Sequence, residues 1–69
     1  VTLTEHLMLQ LRQTRLKKRD RSIGEYLIGC IDGNGYLQAT VLEIARDLGV
    51  GEEDIQRVLS IIQTFDPAG

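Results

Sequence analysis

The chain has 69 residues, 42% apolar and 26% charged, with a net charge of −2, one cysteine and one histidine. That length holds one small domain, which folds alone only if it uses its apolar residues well. One cysteine excludes a disulfide scaffold, one histidine leaves metal and acid–base chemistry little to work with, and no apolar run is long enough to cross a bilayer.

No signal-peptide pattern opens the chain, and its single thiol fits a reduced cytoplasmic compartment with no membrane partner. The absence of an initial Met and the end at Asp66-Pro67-Ala68-Gly69 lead to the expectation of a piece of a longer protein. The charges are unevenly spread. Arg12, Arg15, Lys17, Lys18, Arg19 and Arg21 fall within ten positions, whereas the second half holds Arg46 and Arg57 against six acids from Glu43 to Asp66. The molecule is therefore expected to have a basic end and an acidic end.

In chain order, Thr2-Leu-Thr-Glu5 is a capping box that opens a first helix with Leu3, Leu7, Met8 and Leu11 on one face. A short linker from Thr14 to Lys18 predicts an antiparallel neighbour. The second helix, capped by Asp20 or Ser22, carries Ile23, Leu27, Cys30 and Ile31 on one face, with Tyr26 and Ile28 widening it. A helix apolar on so many sides belongs at the centre of a bundle, and Cys30 is expected to be buried there as a small structural residue. Asp32-Gly33-Asn34-Gly35 then stops the helix and reverses the chain, and Leu37-Gln38-Ala39 is too short for a strand.

Thr40-Val-Leu-Glu43 repeats the capping-box spacing and opens a third helix with Val41, Leu42, Ile44, Ala45 and Leu48 as its apolar positions. Gly49 is placed for a left-handed C-terminal cap, with Val50 packing back. The fourth helix follows Gly51, has Glu52, Glu53 and Asp54 in its first turn, and buries Ile55, Val58, Leu59, Ile62 and Phe65 before Pro67. The expected fold is all-α, a small four-helix bundle whose last two helices form a helix-turn-helix-like pair.

That pair invites a DNA-binding reading, an independent helix-turn-helix regulator. Three acids where a recognition helix meets phosphates and bases oppose it. Asp32, Asn34 and Glu43 occupy the first, third and twelfth places of a calcium loop. Tyr36 and Leu37 stand where the fifth ligand and the sharp-bend glycine are required, so no calcium site is expected. His6 stands alone, without ligand partners. No nucleophile–base pair, phosphate loop or cofactor motif is present, so the chain is read as a non-catalytic module without a cofactor. The basic run Arg15, Lys17, Lys18, Arg19 and Arg21 is either a solvated loop or an electrostatic contact with an acidic or phosphate-bearing partner.

The spaced residues Ile23-Gly24, Leu27-Ile28, Ile31-Asp32 and Gly35-Tyr36-Leu37, followed by Ile44-Ala45, Leu48-Gly49-Val50, Val58-Leu59, Ile62-Gln63 and Phe65-Asp66-Pro67-Ala68-Gly69, resemble the core-binding domain of the sigma-54 family of bacterial RNA polymerase sigma factors. The resemblance covers nearly the whole chain, with Glu5-His6-Leu7 and Gln10-Leu11 fitting as well. Gly51, where the family usually has a Ser or Thr cap, and the pair Gly29-Cys30 depart from it. The resemblance implies that residues 1–69 are the N-terminal half of that domain and bind core RNA polymerase in activator-dependent transcription. It also implies that DNA is met only through other domains; the fragment is expected to be a monomer. On this reading Arg15, Lys17, Lys18, Arg19 and Arg21 are the candidate polymerase contacts. Phe65, Asp66 and Pro67 form a junction to a second helical subdomain of the same chain, leaving apolar surface exposed near the end of the fourth helix.

Overall fold

Two of the four helices begin where a threonine side chain satisfies a free amide. In the computed structural model, which describes residues 2–65, Thr2 caps helix α1 (Leu3–Gln13), its hydroxyl oxygen accepting from the Glu5 amide at 3.1 Å. Thr40 does the same for α3 (Val41–Leu48), accepting from the Glu43 amide at 3.1 Å. Its hydroxyl also donates to the Glu43 carboxylate at 3.2 Å.

Helix α2 (Lys18–Gly29) starts earlier than the sequence predicts. Its cap is Lys17, which offers no side-chain hydrogen bond, so neither Asp20 nor Ser22 caps it. Asp20 lies inside the first turn, and the Ser22 hydroxyl donates to the Lys18 carbonyl at 3.1 Å. The basic run is thus mostly helical. Helix α4 (Glu52–Ile62) also lacks a side-chain cap at Gly51 and relies on Glu52, Glu53 and Asp54 to complement its dipole.

Helix α2 also ends sooner than expected. Cys30 is its half-buried C-cap rather than a buried interior residue, because the chain turns there. Ile31 and Leu37 form one antiparallel bridge, and the Gln38 amide bonds the Cys30 carbonyl at 2.8 Å. Between them Asp32 acts as a clasp. Its Oδ1 accepts from the amides of Asn34 and Tyr36, both at 2.9 Å, and its Oδ2 from the Gln38 side chain at 2.7 Å. Gly35 supplies the positive φ of 86° that closes the turn. Gly49, at φ 68°, ends α3 as predicted, with its amide bonding Arg46 and that of Val50 bonding Ala45 at 3.0 Å.

The helices pack in the spatial order α1, α2, α4, α3. Leu7 and Leu11 of α1 meet Ile23, Leu27 and Ile28 of α2, and the core continues through Ile55, Val58 and Ile62 of α4 to Ile44 and Ala45 of α3. Gly24 permits the approach of α1, since a Cβ there would lie 2.8 Å from Leu11 Cδ1. No buried polar or charged residue occurs among the described residues. Two expected core positions face outward: Leu42 is 47% exposed, and Tyr26 stands at the rim with its hydroxyl donating to Asp47 Oδ2 at 2.8 Å. That bond ties α2 to α3 across the top of the core.

Replacing Leu27, which has no exposed surface, by Ala should lower the unfolding free energy by about 2–5 kcal/mol in urea titrations. Leu42→Ala should change it by less than about 0.5 kcal/mol. The hydrogen bond to Asp47, with lesser help from burial and nearby carboxylate charge, pushes the Tyr26 phenol above its ordinary value. Because the folded-state value is the higher one, this stabilisation is complete below about pH 10 and is lost as pH rises through the folded-state value. Absorbance titration in a Tyr36→Phe background should place the Tyr26 midpoint above that of free tyrosine, and Asp47→Asn should bring it down.

Candidate functional site

The basic run occupies the end of the α1–α2 pair, and the fold divides it. From Thr14 to Lys17 the backbone is extended at both flanks, so side chains alternate sides. Leu16 packs on the core while Arg15 and Lys17 stand in solvent. Helical geometry then takes over. Lys18 shares an outward row with Ser22 and Glu25, all exposed, whereas Arg19 lies on the edge that carries Ile23 and Tyr26 toward the α3–α4 pair.

Arg19 and Arg21 are engaged within the molecule. Arg19 Nη2 bridges to Asp54 Oδ2 at 3.0 Å, and Arg57 joins the same carboxylate at 3.1 Å through Nη1. The second nitrogen of Arg57 reaches Asp20 Oδ1 at 2.7 Å. The result is an alternating chain, Arg19–Asp54–Arg57–Asp20, between the first turn of α2 and the first two turns of α4. Its carboxylates are the sheltered partners, with Asp20 and Asp54 side chains 14% and 19% exposed. The hydrogen bond and charge of Asp20 hold the Arg57 guanidinium above its ordinary value. Arg21 folds back along the linker, its Nη2 donating to the Thr14 carbonyl at 3.4 Å where a cation complements the end of α1. Its buried Nε has no hydrogen-bond partner among the described residues.

Arg12, Arg15, Lys17 and Lys18 remain, all exposed and none in an ion pair among the described residues. Arg19 keeps its side chain 65% exposed at the edge of this group. The basic and acidic stretches expected from sequence thus meet where Asp54 of α4 and Asp20 of α2 pair with Arg19 and Arg57, leaving the four unpaired cations outward. No sequence pattern signals this network, because its long pairs lie 35 and 37 residues apart.

The other expected surfaces divide as well. Phe65 is buried at 7%, as part of the core, so it does not supply the exposed apolar junction surface expected near the end of α4. Asp66 and Pro67 lie outside the described residues. The helix-turn-helix-like pair is present as α3, a turn through Gly49, Val50 and Gly51, and α4. Glu52 and Glu53 are exposed at the leading end of α4, where phosphates would be repelled. No cluster of three or more potential metal ligands occurs among the described residues, and no helix is long and apolar enough to cross a membrane.

Comparison with known proteins gives a consistent set of relatives. A family profile described as "Sigma-54 factor, core binding domain" matches residues 1–69. The chain is 41% identical over 68 residues to RNA polymerase sigma-54 factor 1 of Bradyrhizobium diazoefficiens, covering 99% of this chain and 14% of that protein. It is 43% identical over 72 residues to RNA polymerase sigma-54 factor of Xanthomonas euvesicatoria, covering 99% and 15%. Against the Rhizobium meliloti protein of the same name the identity is 44% over 68 residues, covering 99% and 13%. The chain thus spans only about a seventh of the length of these curated relatives.

The division of the basic run has a direct test in stability. Arg19→Glu, which sets a carboxylate against Asp54, should lower the thermal midpoint by a few degrees, since it replaces attraction with repulsion at a partly sheltered pair. Lys17→Glu, which breaks no ion pair and places an anion at the N-terminus of α2, should leave the midpoint unchanged or raise it slightly. Circular dichroism melts at low salt compare the two.

Proposed function

The chain belongs to the sigma-54 core-binding-domain family, and from that premise we propose that it docks on core RNA polymerase through the cationic group Arg12, Arg15, Lys17 and Lys18. The observation that carries this reading is the set of four exposed cations left without an ion pair beside a network that neutralises its own charges. Unpaired cations at the junction of α1 and α2 favour an acidic protein surface, steering encounter and fixing orientation more than adding affinity. Arg19 borders the contact while bridging to Asp54, and Arg21 braces the linker beneath it.

On this reading the domain serves activator-dependent transcription initiation as a non-catalytic, cytoplasmic docking module, monomeric by itself. Its second partner is a further helical subdomain of the same chain, joined through Asp66 and Pro67. DNA is met by other domains. The exposed Glu52 and Glu53 support that separation, because they would face phosphates in a recognition-helix pose.

The test is a binding titration against purified core RNA polymerase at two salt concentrations. Reversing Arg15, Lys17 and Lys18 together should slow association by roughly tenfold at low salt. High salt should slow the wild-type chain in the same sense, since the screening length is about 10 Å at ~0.1 M ionic strength. Equal association of both proteins at both salts would remove the basic surface from the contact. A wild-type chain that ignores the polymerase and shifts labelled duplex would replace this function with DNA binding.

A further inference from the structure

Arg57 is 36 residues beyond Arg21 in sequence yet reaches the first turn of α2, where its Nη2 lies 2.7 Å from Asp20 Oδ1. Asp20 is the only acid within the basic run, three residues from Lys17 and two from Lys18. An unengaged carboxylate there would have a cation one helical turn away as an alternative partner, and such pairs form readily at this spacing. The Asp20 side chain instead lies 14% exposed against α4 and is met from the far side by Arg57. The same guanidinium holds Asp54 at 3.1 Å, which in turn takes Arg19.

We propose that Arg57 is a positioning residue for the polymerase contact: by sequestering Asp20 it keeps the neighbouring lysines unpaired and the docking surface cationic. This rests on the proposed docking function, and it assigns a part in recognition to a residue of α4 outside the basic run. The network carries two cations and two anions, so it is neutral as a unit. Removing Arg57 alone would release a net negative charge beneath Lys17 and Lys18. Removing Asp20 with it would restore the balance although the bridge stays broken. A purely structural bridge has the opposite signature, since losing both partners does not rebuild it.

Association rates with core RNA polymerase at low salt separate these cases, with circular dichroism confirming the helical fold of each variant. Lys17→Gln and Arg57→Gln should each slow association roughly two- to three-fold, and the Asp20→Asn/Arg57→Gln double variant should return to the wild-type rate. Asp20→Asn alone, which keeps Arg57, should associate faster than wild type and stands as the second measurement if Arg57→Gln unfolds. Lys17→Gln slow with Arg57→Gln unchanged, a double variant as slow as Arg57→Gln, or an Asp20→Asn variant slower than wild type would each overturn the role of Arg57 while leaving the docking surface in place. Unchanged rates in every variant, Lys17→Gln included, would overturn the docking surface itself and this inference with it.

Discussion

Leu27 and Ile28 are consecutive residues, and neither has any surface exposed to water. Neighbouring residues on a helix point about 100° apart, so no single packing partner can cover both. Helix α2 must therefore be enclosed from two sides, and the spatial order α1, α2, α4 meets that demand. Gly24 lets α1 come close enough to fill one side with Leu11, while Ile55 and Val58 belong to the core on the other. Helix α3 then covers the outer side of α4 with Ile44 and Ala45. A chain this short cannot afford a second core, and one doubly covered helix makes a second core unnecessary.

The same arrangement brings two helix N-termini together. Amides without intrahelical partners make each such end partially positive, and α2 adds Lys17, Lys18, Arg19 and Arg21 to its own. This is an unfavourable place for cations. One acid of α4 serves both ends: Asp54 sits in the first turn of its own helix and also bridges to Arg19 of the other. Surface ion pairs contribute little singly, but a linked set with sheltered carboxylates fixes geometry as well as charge. Outside this set, Arg12, Arg15, Lys17 and Lys18 stay outward and unpaired among the described residues.

Much of this was legible in the chain, and what was legible was local. The Thr2 and Thr40 caps and the Gly49 turn each rest on residues within five positions of one another, and the structure places them as the spacing predicts. The four helices and the central position of α2 follow from apolar periodicity. The start of α2 was missed because Lys17 is a cap with no cap signal, its geometry set by the extended linker and by Leu16 anchored on the core. Cys30 and Tyr26 were placed too deep because periodicity assumes the helix continues and that an apolar ring turns inward. The Asp32 clasp ends the helix, and the Tyr26 hydroxyl draws its ring toward Asp47. At the candidate site every cation is visible in the chain, but which of them are paired within the molecule depends on Asp54 and Arg57, far away in sequence.

The Asp32 clasp also bears on how the domain carries load. One carboxylate gathers two backbone amides and one side-chain amide, while the Gln38 amide closes back on Cys30. The link between α2 and α3 is thereby a stiff elbow instead of a slack tether. Helix α4 packs directly on α2 while this elbow joins α2 to α3, so the α3–α4 pair is held against α2 both along the chain and across the core. A pull on α4 would therefore load the α2–α4 packing first, and the bend at Asp32 only once that packing yields.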